Sequence, residues 1–148
     1  MRNLTAILFL LLCFCANQVM ADSHGVVGKK ITDFSAKVTS VTYLEDRNVL
    51  NMQSDGDVGP FGTVGITSTF MNSIDAKQTV GAYSSRGVSF RADGTLVGIE
   101  GNGSWKSLGK HRWEVTSVGV STEGKRTLAV GVVELATMSF KGSVYSLD

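Results

Sequence analysis

The feature that most constrains the fold is an Asp-Gly pair with alternating side chains on both sides. Asp93 and Gly94 stand between the segments 88–92 and 95–99. This arrangement favours a β-hairpin, because a type I′ turn needs positive φ at both central residues. With the pair as a two-residue loop, alternation predicts one face with Val88, Phe90, Val97 and Ile99, and another with Ser89, Arg91, Gly98 and Glu100. The chain is therefore expected to be built around antiparallel strands.

The N-terminus has the pattern of a secretory signal peptide. Arg2 precedes an apolar run from Leu4 to Val19, and the small residue Ala21 follows at the cleavage position. The apolar run is too short to make a convincing membrane span. We therefore predict a signal peptide over residues 1–21, a flexible leader over 22–32 and one folded domain over 33–148. The mature protein is expected to be exported, periplasmic or secreted, with no stable membrane anchor.

Composition excludes several classes of site from the mature chain. Both cysteines, Cys13 and Cys15, lie in the predicted signal peptide, so no disulfide or thiolate metal site is expected. The remaining residues carry 13 positive and 13 negative charges, which gives no reason to expect nucleic acid as a partner. Seventeen glycines, one proline and many Val, Thr and Ser are typical of strands and turns. The composition therefore predicts an all-β domain.

Eight strands are predicted, over residues 34–44, 62–71, 78–84, 88–92, 95–99, 111–120, 125–134 and 137–147. Turns are predicted at 72–76, 101–104 and 122–125, and a change of apolar parity predicts a β-bulge near Thr116 and Ser117. Strands of this length and spacing favour a small, eight-stranded antiparallel up-and-down barrel, which is wide enough for side chains or one small ligand.

Residues 46–60 are predicted to form a long loop, because Ser-Asp-Gly-Asp and Gly-Pro clusters mark turns. Long loops in small domains are often functional. Two interpretations of its apolar residues Val49, Leu50 and Met52 are open. They could form a lid over a barrel mouth, or they could pack within the loop itself.

Four glycine-bearing segments carry a resemblance to a known family: 59–63, 81–83, 91–96 and 101–103. With them the chain resembles the allene oxide cyclase-like barrels, which are calycin-type. The resemblance implies the same eight-stranded barrel and a cofactor-free isomerase or cyclase activity. In the plant enzymes a Tyr-Glu pair ends the first strand, and the glutamate is implicated in ring closure. This chain has Tyr43-Leu44 at the comparable place, and its nearest carboxylate is Glu45.

No catalytic residue can be assigned from the sequence. Nucleophilic catalysis needs a base beside a nucleophile, and the mature chain offers only His24 in the leader and His111 in a basic segment. His111 is therefore predicted to be a surface residue. No ligand spacing for a metal appears, so neither a metal nor a cofactor is predicted. Trp105 and Trp113 are predicted to pack in the core or at the rim rather than to stack on a ligand.

Six residues are candidates for ligand binding: Pro60, Phe61, Tyr83, Ser89, Arg91 and Glu100. Those on the hairpin would contact a ligand if their face pointed into the lumen, and would be ordinary surface residues if it faced solvent. Three functions follow from a barrel of this kind: a binding protein for a small, largely apolar molecule, a cofactor-free isomerase, and a structural barrel with a filled lumen. Self-association into a homo-oligomer is left open.

Overall fold

The protein is one closed antiparallel β-barrel. The computed structural model describes residues 28–73 and 77–148; the predicted signal peptide, His24 in the leader and residues 74–76 of a predicted turn lie outside them. Each strand pairs with the next along the chain, and the last pairs with the first. The strands are β1 Lys30–Tyr43, β2 Arg47–Asp57, β3 Thr63–Ser73, β4 Val80–Phe90, β5 Leu96–Gly109, β6 Arg112–Ser121, β7 Arg126–Glu134 and β8 Ser139–Ser146, with a 3₁₀ helix at Gly59–Phe61. The predicted fold class is confirmed.

The predicted long loop at 46–60 is wrong, because most of it is strand β2. Leu50 and Met52 are buried and face the lumen, so they form neither a lid nor a self-packed loop. They alternate with the exposed Asn51 and Gln53, which is the period of a half-buried strand. The turn-forming residues that suggested a loop lie at the end of β2, where its pairing with β3 becomes irregular after Gln53.

Two further boundaries were predicted wrongly. The predicted strands 78–84 and 88–92 are a single strand, β4, and the predicted turn 101–104 lies within β5. Gly101 pairs with Ser85 on one side and with Gly119 on the other, in unbroken register. Hydrogen bonding to both neighbouring strands therefore overrides the turn preference of these small residues.

The central hairpin exists, but its loop has three residues, 92–94, rather than two. Arg91 N donates to Thr95 O and Gly94 N donates to Arg91 O, each over 3.0 Å. Within this loop only Gly94 has positive φ, at 85°, which is the geometry of a type I turn followed by a left-handed residue. The register therefore moves by one residue.

The predicted faces of the hairpin are wrong for this reason. Ser89 pairs with Val97, and both are buried and face the lumen. Val88 and Phe90 lie on the outer wall, where they are partly exposed.

The predicted bulge at Thr116 and Ser117 is also wrong. Strand β6 pairs with both neighbours without a register shift at these positions. The parity change arises because β6 is apolar on both faces: Val115 is buried in the lumen, and Val118 and Val120 are exposed on the outer wall.

A core layer crosses the middle of the lumen. It consists of Val38, Leu50, Phe70, Trp105 and Val133, all buried. The Trp105 indole donates to Met71 O over 2.9 Å, which satisfies its polar atom. No helix within residues 28–73 and 77–148 is long and apolar enough to cross a bilayer.

Candidate functional site

A cavity of about 130 Å³ lies at the end of the barrel that carries the 3₁₀ helix, and we call it the apolar cavity. Inward-facing side chains of all eight strands line it, and most of them are apolar. The apolar lining residues include Phe34, Ala36, Met52, Val64, Ile66, Ile99, Val115, Ala129, Phe140 and Val144. Such a lining favours an apolar occupant, because few groups are present to replace the hydrogen bonds of water.

The 3₁₀ segment covers part of this end of the barrel. Val58 is buried and Phe61 is half-buried, and both line the apolar cavity. Val58 N donates to Gly62 O over 2.8 Å, which holds the segment in a tight turn. The fully buried Ser89 donates to Phe61 O, and this hydrogen bond links the 3₁₀ segment to β4.

Hydroxyl groups form a polar band on one side of the cavity. The Tyr83 hydroxyl lies 2.7 Å from the Ser68 hydroxyl, and it also bonds with Ser85. Burial raises the pKa of Tyr83, while these two hydrogen bonds act in the opposite direction. Tyr83 is therefore a neutral hydrogen-bonding group near neutral pH and not a base.

Two more serines extend the band across β6. A β-carbon built on Gly101 would lie 2.7 Å from Ser117 Oγ and 2.8 Å from Ser85 Oγ, so both hydroxyls occupy the space beside this glycine. Ser121 Oγ is buried and has no hydrogen-bond partner among the described residues. A buried hydroxyl without a partner is costly, and Ser121 lines the cavity, so a ligand atom could satisfy it.

Charged groups lie at the rim of the cavity. Arg91 makes two parallel hydrogen bonds to the Glu123 carboxylate, each over 2.7 Å, and Lys125 lies 3.6 Å from the same carboxylate. The Arg91 guanidinium lowers the pKa of Glu123, with a smaller contribution from Lys125. Lys125 is the one charged residue that lines the cavity in the described part of the chain.

The structure brings some of the predicted site residues together and separates others. Phe61 and Tyr83 line the cavity, and Ser89 donates a hydrogen bond to the main-chain oxygen of Phe61. Pro60 is exposed, although it lies beside Phe61.

The two charged candidates lie elsewhere. Arg91 lies at the rim, between the end of β4 and the loop 92–94, and is paired with Glu123. Glu100 faces outward and forms a 2.6 Å ion pair with Arg86 on the outer wall.

Sequence reasoning missed Ser85, Ser117, Ser121 and Lys125. A signal for the first two exists, since small residues recur at inward positions of β4, β5 and β6. It could be used only with the correct register, because a shift of one residue exchanges the two faces of a strand.

The tyrosine and the nearest carboxylate at the end of the first predicted strand lie at the opposite end of the barrel from the apolar cavity. Tyr43 and Glu45 line a second cavity there, and neither lines the apolar cavity. His111 is exposed, as predicted. Trp105 is buried in the core layer and Trp113 is half-buried against it, which confirms core and rim packing. Residues 28–73 and 77–148 contain no cluster of His, Cys, Asp or Glu that could hold a metal ion.

Comparison with known proteins gives no relative: no family model, no curated protein and no solved structure matches this chain.

Proposed function

We propose that this protein binds a small, largely apolar molecule in the apolar cavity. The observation that carries the proposal is an apolar-lined space beside a buried hydroxyl, Ser121 Oγ, which has no partner in the described part of the chain. An apolar molecule with one hydrogen-bonding group would fill the space and satisfy this hydroxyl. Ser85 of β4 and Ser117 of β6, which flank Gly101 of β5, would bind the same polar group if it pointed toward β5.

The volume limits the size of the molecule. An engineered protein cavity of about 150 Å³ holds benzene, so a cavity of about 130 Å³ suits a molecule about as large as a single aromatic ring. Larger ligands would have to displace the 3₁₀ segment or extend through the mouth past Lys125. Benzene and phenol are therefore suitable probes, since they differ by the one hydroxyl that the serine band would recognise.

The binding test is a titration of the purified protein with benzene and with phenol, followed by NMR. We expect saturable shifts at residues that line the apolar cavity, with phenol binding tighter than benzene. Ala129→Leu adds an isopropyl group to the lining and should abolish both. Its matched control is Val130→Leu, the next residue of β7, which faces outward and should bind like the wild type.

Two results would contradict the proposal. One is no saturable shift with either probe up to its solubility limit. The other is equal binding by Ala129→Leu and the wild type, because the probe would then lie elsewhere. Native mass spectrometry of protein purified from its own host adds a test of the natural ligand, and a bare mass together with no probe binding would favour a structural barrel with a filled lumen.

The second candidate function is cofactor-free isomerisation, as the resemblance to the allene oxide cyclase-like barrels implies. The observation that favours it is the neutral, buried Tyr83 hydroxyl on the cavity wall, which could polarise a bound oxygen atom. Ring closure by a carboxylate finds no support, because Glu45 lies in the other cavity. Tyr83→Phe separates the two functions: it should leave benzene binding intact, and an isomerase would lose turnover.

Export is part of the proposal, and the N-terminal sequence pattern supports it. Fractionation of the native host with N-terminal sequencing tests it directly. We expect the protein in the periplasm or the medium, with Asp22 as its first residue. A cytoplasmic protein that begins at Met1 would contradict this part of the proposal.

A further inference from the structure

A second cavity lies at the opposite end of the barrel, and we call it the polar vestibule. Its volume is about 830 Å³, within the range of about 300–1,000 Å³ that is typical of small-molecule sites. Among residues 28–73 and 77–148, none lines both cavities, and the core layer separates them, with Val38 and Val133 lining neither. A ligand in the vestibule would therefore not compete with one in the apolar cavity.

Aromatic rings form part of the floor and wall of the vestibule. Trp113 is half-buried and packs on Phe70, with ring centroids 6.3 Å apart. Tyr43, at the end of β1, is 69% exposed and also lines the vestibule. Partly exposed rings of this kind offer flat apolar surface with a polar edge, which suits a ligand that has both apolar and polar faces.

Polar side chains complete the wall. The Asn48 amide, at the start of β2, is half-buried and makes no side-chain hydrogen bond with the described residues. Ser107 and His111 add further donors and acceptors on the β5–β6 side. Glu45 and Lys110 also line the vestibule, and their opposite charges leave the described lining with no net charge.

This combination selects one class of ligand. A wholly apolar molecule would cover the amide and hydroxyl groups without bonding them, which costs free energy. A strongly charged ligand would find no excess of opposite charge. We propose that the polar vestibule binds a neutral saccharide of one or two rings. The C–H face of a sugar ring would pack on Trp113 or Tyr43, and its hydroxyls would bond with Asn48 and its neighbours.

Amide NMR of the purified protein tests the proposal with methyl β-glucoside, methyl β-galactoside, N-acetylglucosamine, cellobiose and maltose as probes. We expect at least one to bind with a Kd on the order of 1 mM and to shift the Asn48 amide and the Trp113 indole resonances. Phenol added to the same sample should shift residues around Ser117 instead. The two sets of shifts therefore show separately whether the vestibule binds a saccharide and whether the apolar cavity binds phenol.

Variants sharpen the assignment. Tyr43→Ala and Asn48→Ala should each weaken saccharide binding by about fivefold without loss of fold, since Tyr43 is largely exposed and the Asn48 side chain has no partner among the described residues to leave unpaired. Phe90→Ala removes a similarly exposed ring from the outer wall near the other end and should bind like the wild type. The proposal is overturned by an absence of saturable shifts with all five saccharides up to 100 mM (roughly 100-fold above a 1 mM Kd), or by unchanged affinity in both vestibule variants.

Discussion

The hydrogen bond between Ser68 and Tyr83 allows a quantitative prediction of how substitutions change the free energy of unfolding. Both residues are buried, Ser68 completely, and their oxygens lie 2.7 Å apart. Neither hydroxyl can turn to bulk water when its partner is removed. The two are not equivalent, however, because Tyr83 also bonds with Ser85.

The asymmetry sets the expected magnitudes. Tyr83→Phe leaves the Ser68 hydroxyl buried and unpaired, which costs about 1–3 kcal/mol in the free energy of unfolding. Ser68→Ala leaves the tyrosine bonded to Ser85, so it should lower the free energy of unfolding by about 1 kcal/mol. In the double variant no orphaned partner of this bond remains, and its cost should be at least about 1 kcal/mol less than the sum of the single costs.

Urea unfolding followed by circular dichroism measures the four free energies, and equal m-values would show that the comparison is valid. Tyr145→Phe serves as the control, because Tyr145 faces outward on β8, and it should stay within about 0.5 kcal/mol of the wild type. Additive costs, within about 0.5 kcal/mol, would refute the reasoning that the two hydroxyls depend on each other.

Tyr83→Phe should also change how the stability of the protein depends on pH above pH 9. Burial raises the pKa of Tyr83 above its usual value of 10.0, so the unfolded chain loses this proton at a lower pH than the folded protein does. The folded state then holds more protons above pH 10, and the free energy of unfolding falls as the pH rises. Tyr83→Phe should lose less stability between pH 9 and 11 than the wild type, and identical slopes would contradict this.

Three further changes have definite expected outcomes. Replacing Lys110-His111, whose φ values are 53° and 57°, with Asn-Gly should stabilise the protein by about 1–2 kcal/mol, seen as a higher Tm, because these residues adopt the left-handed region readily. Arg91 lowers the pKa of Glu123, so stability from this pair is present above pH 4.5 and is lost as the pH falls through the folded pKa; Glu123→Gln should lose less stability than the wild type on acidification, and parallel acid titrations would contradict it. Gly142→Ala should yield no folded barrel by circular dichroism, because its new carbon would lie 2.2 Å from a main-chain oxygen of β7.

The sequence was sufficient for the fold class because alternation at period two is repeated along the chain. It failed where two local signals conflicted. Asn51 to Asp57 contains both a strand alternation around Met52 and a cluster of turn-forming residues, and only the pairing with the neighbouring strands β1 and β3 decides between them. Such non-local hydrogen bonds cannot be read from a single segment.

The candidate site was harder to predict because it depends on register. The Asp93-Gly94 pair suits two loop lengths, and they differ in the sign of φ at Asp93 alone. The choice decides whether Ser89 or Phe90 faces the lumen, and it places Glu100 on the outer wall. The Ser121 hydroxyl has no partner in the described part of the chain because of its surroundings, so no residue pattern could reveal it.

The size of the inward-facing residues along each strand explains why one barrel has two different ends. Large side chains, Phe70 and Trp105, fill the middle, whereas Ser85, Gly101 and Ser117 meet on adjacent strands nearer the 3₁₀ helix and leave space. The core layer and the closed hydrogen-bond ladder hold the fold together between the ends. Lining residues outside the buried core cluster, such as Tyr43 and Asn48, can therefore change with little cost to the barrel, and substitutions there should alter ligand choice before they alter stability. Lining residues that belong to the core, such as Tyr83, contribute to stability as well.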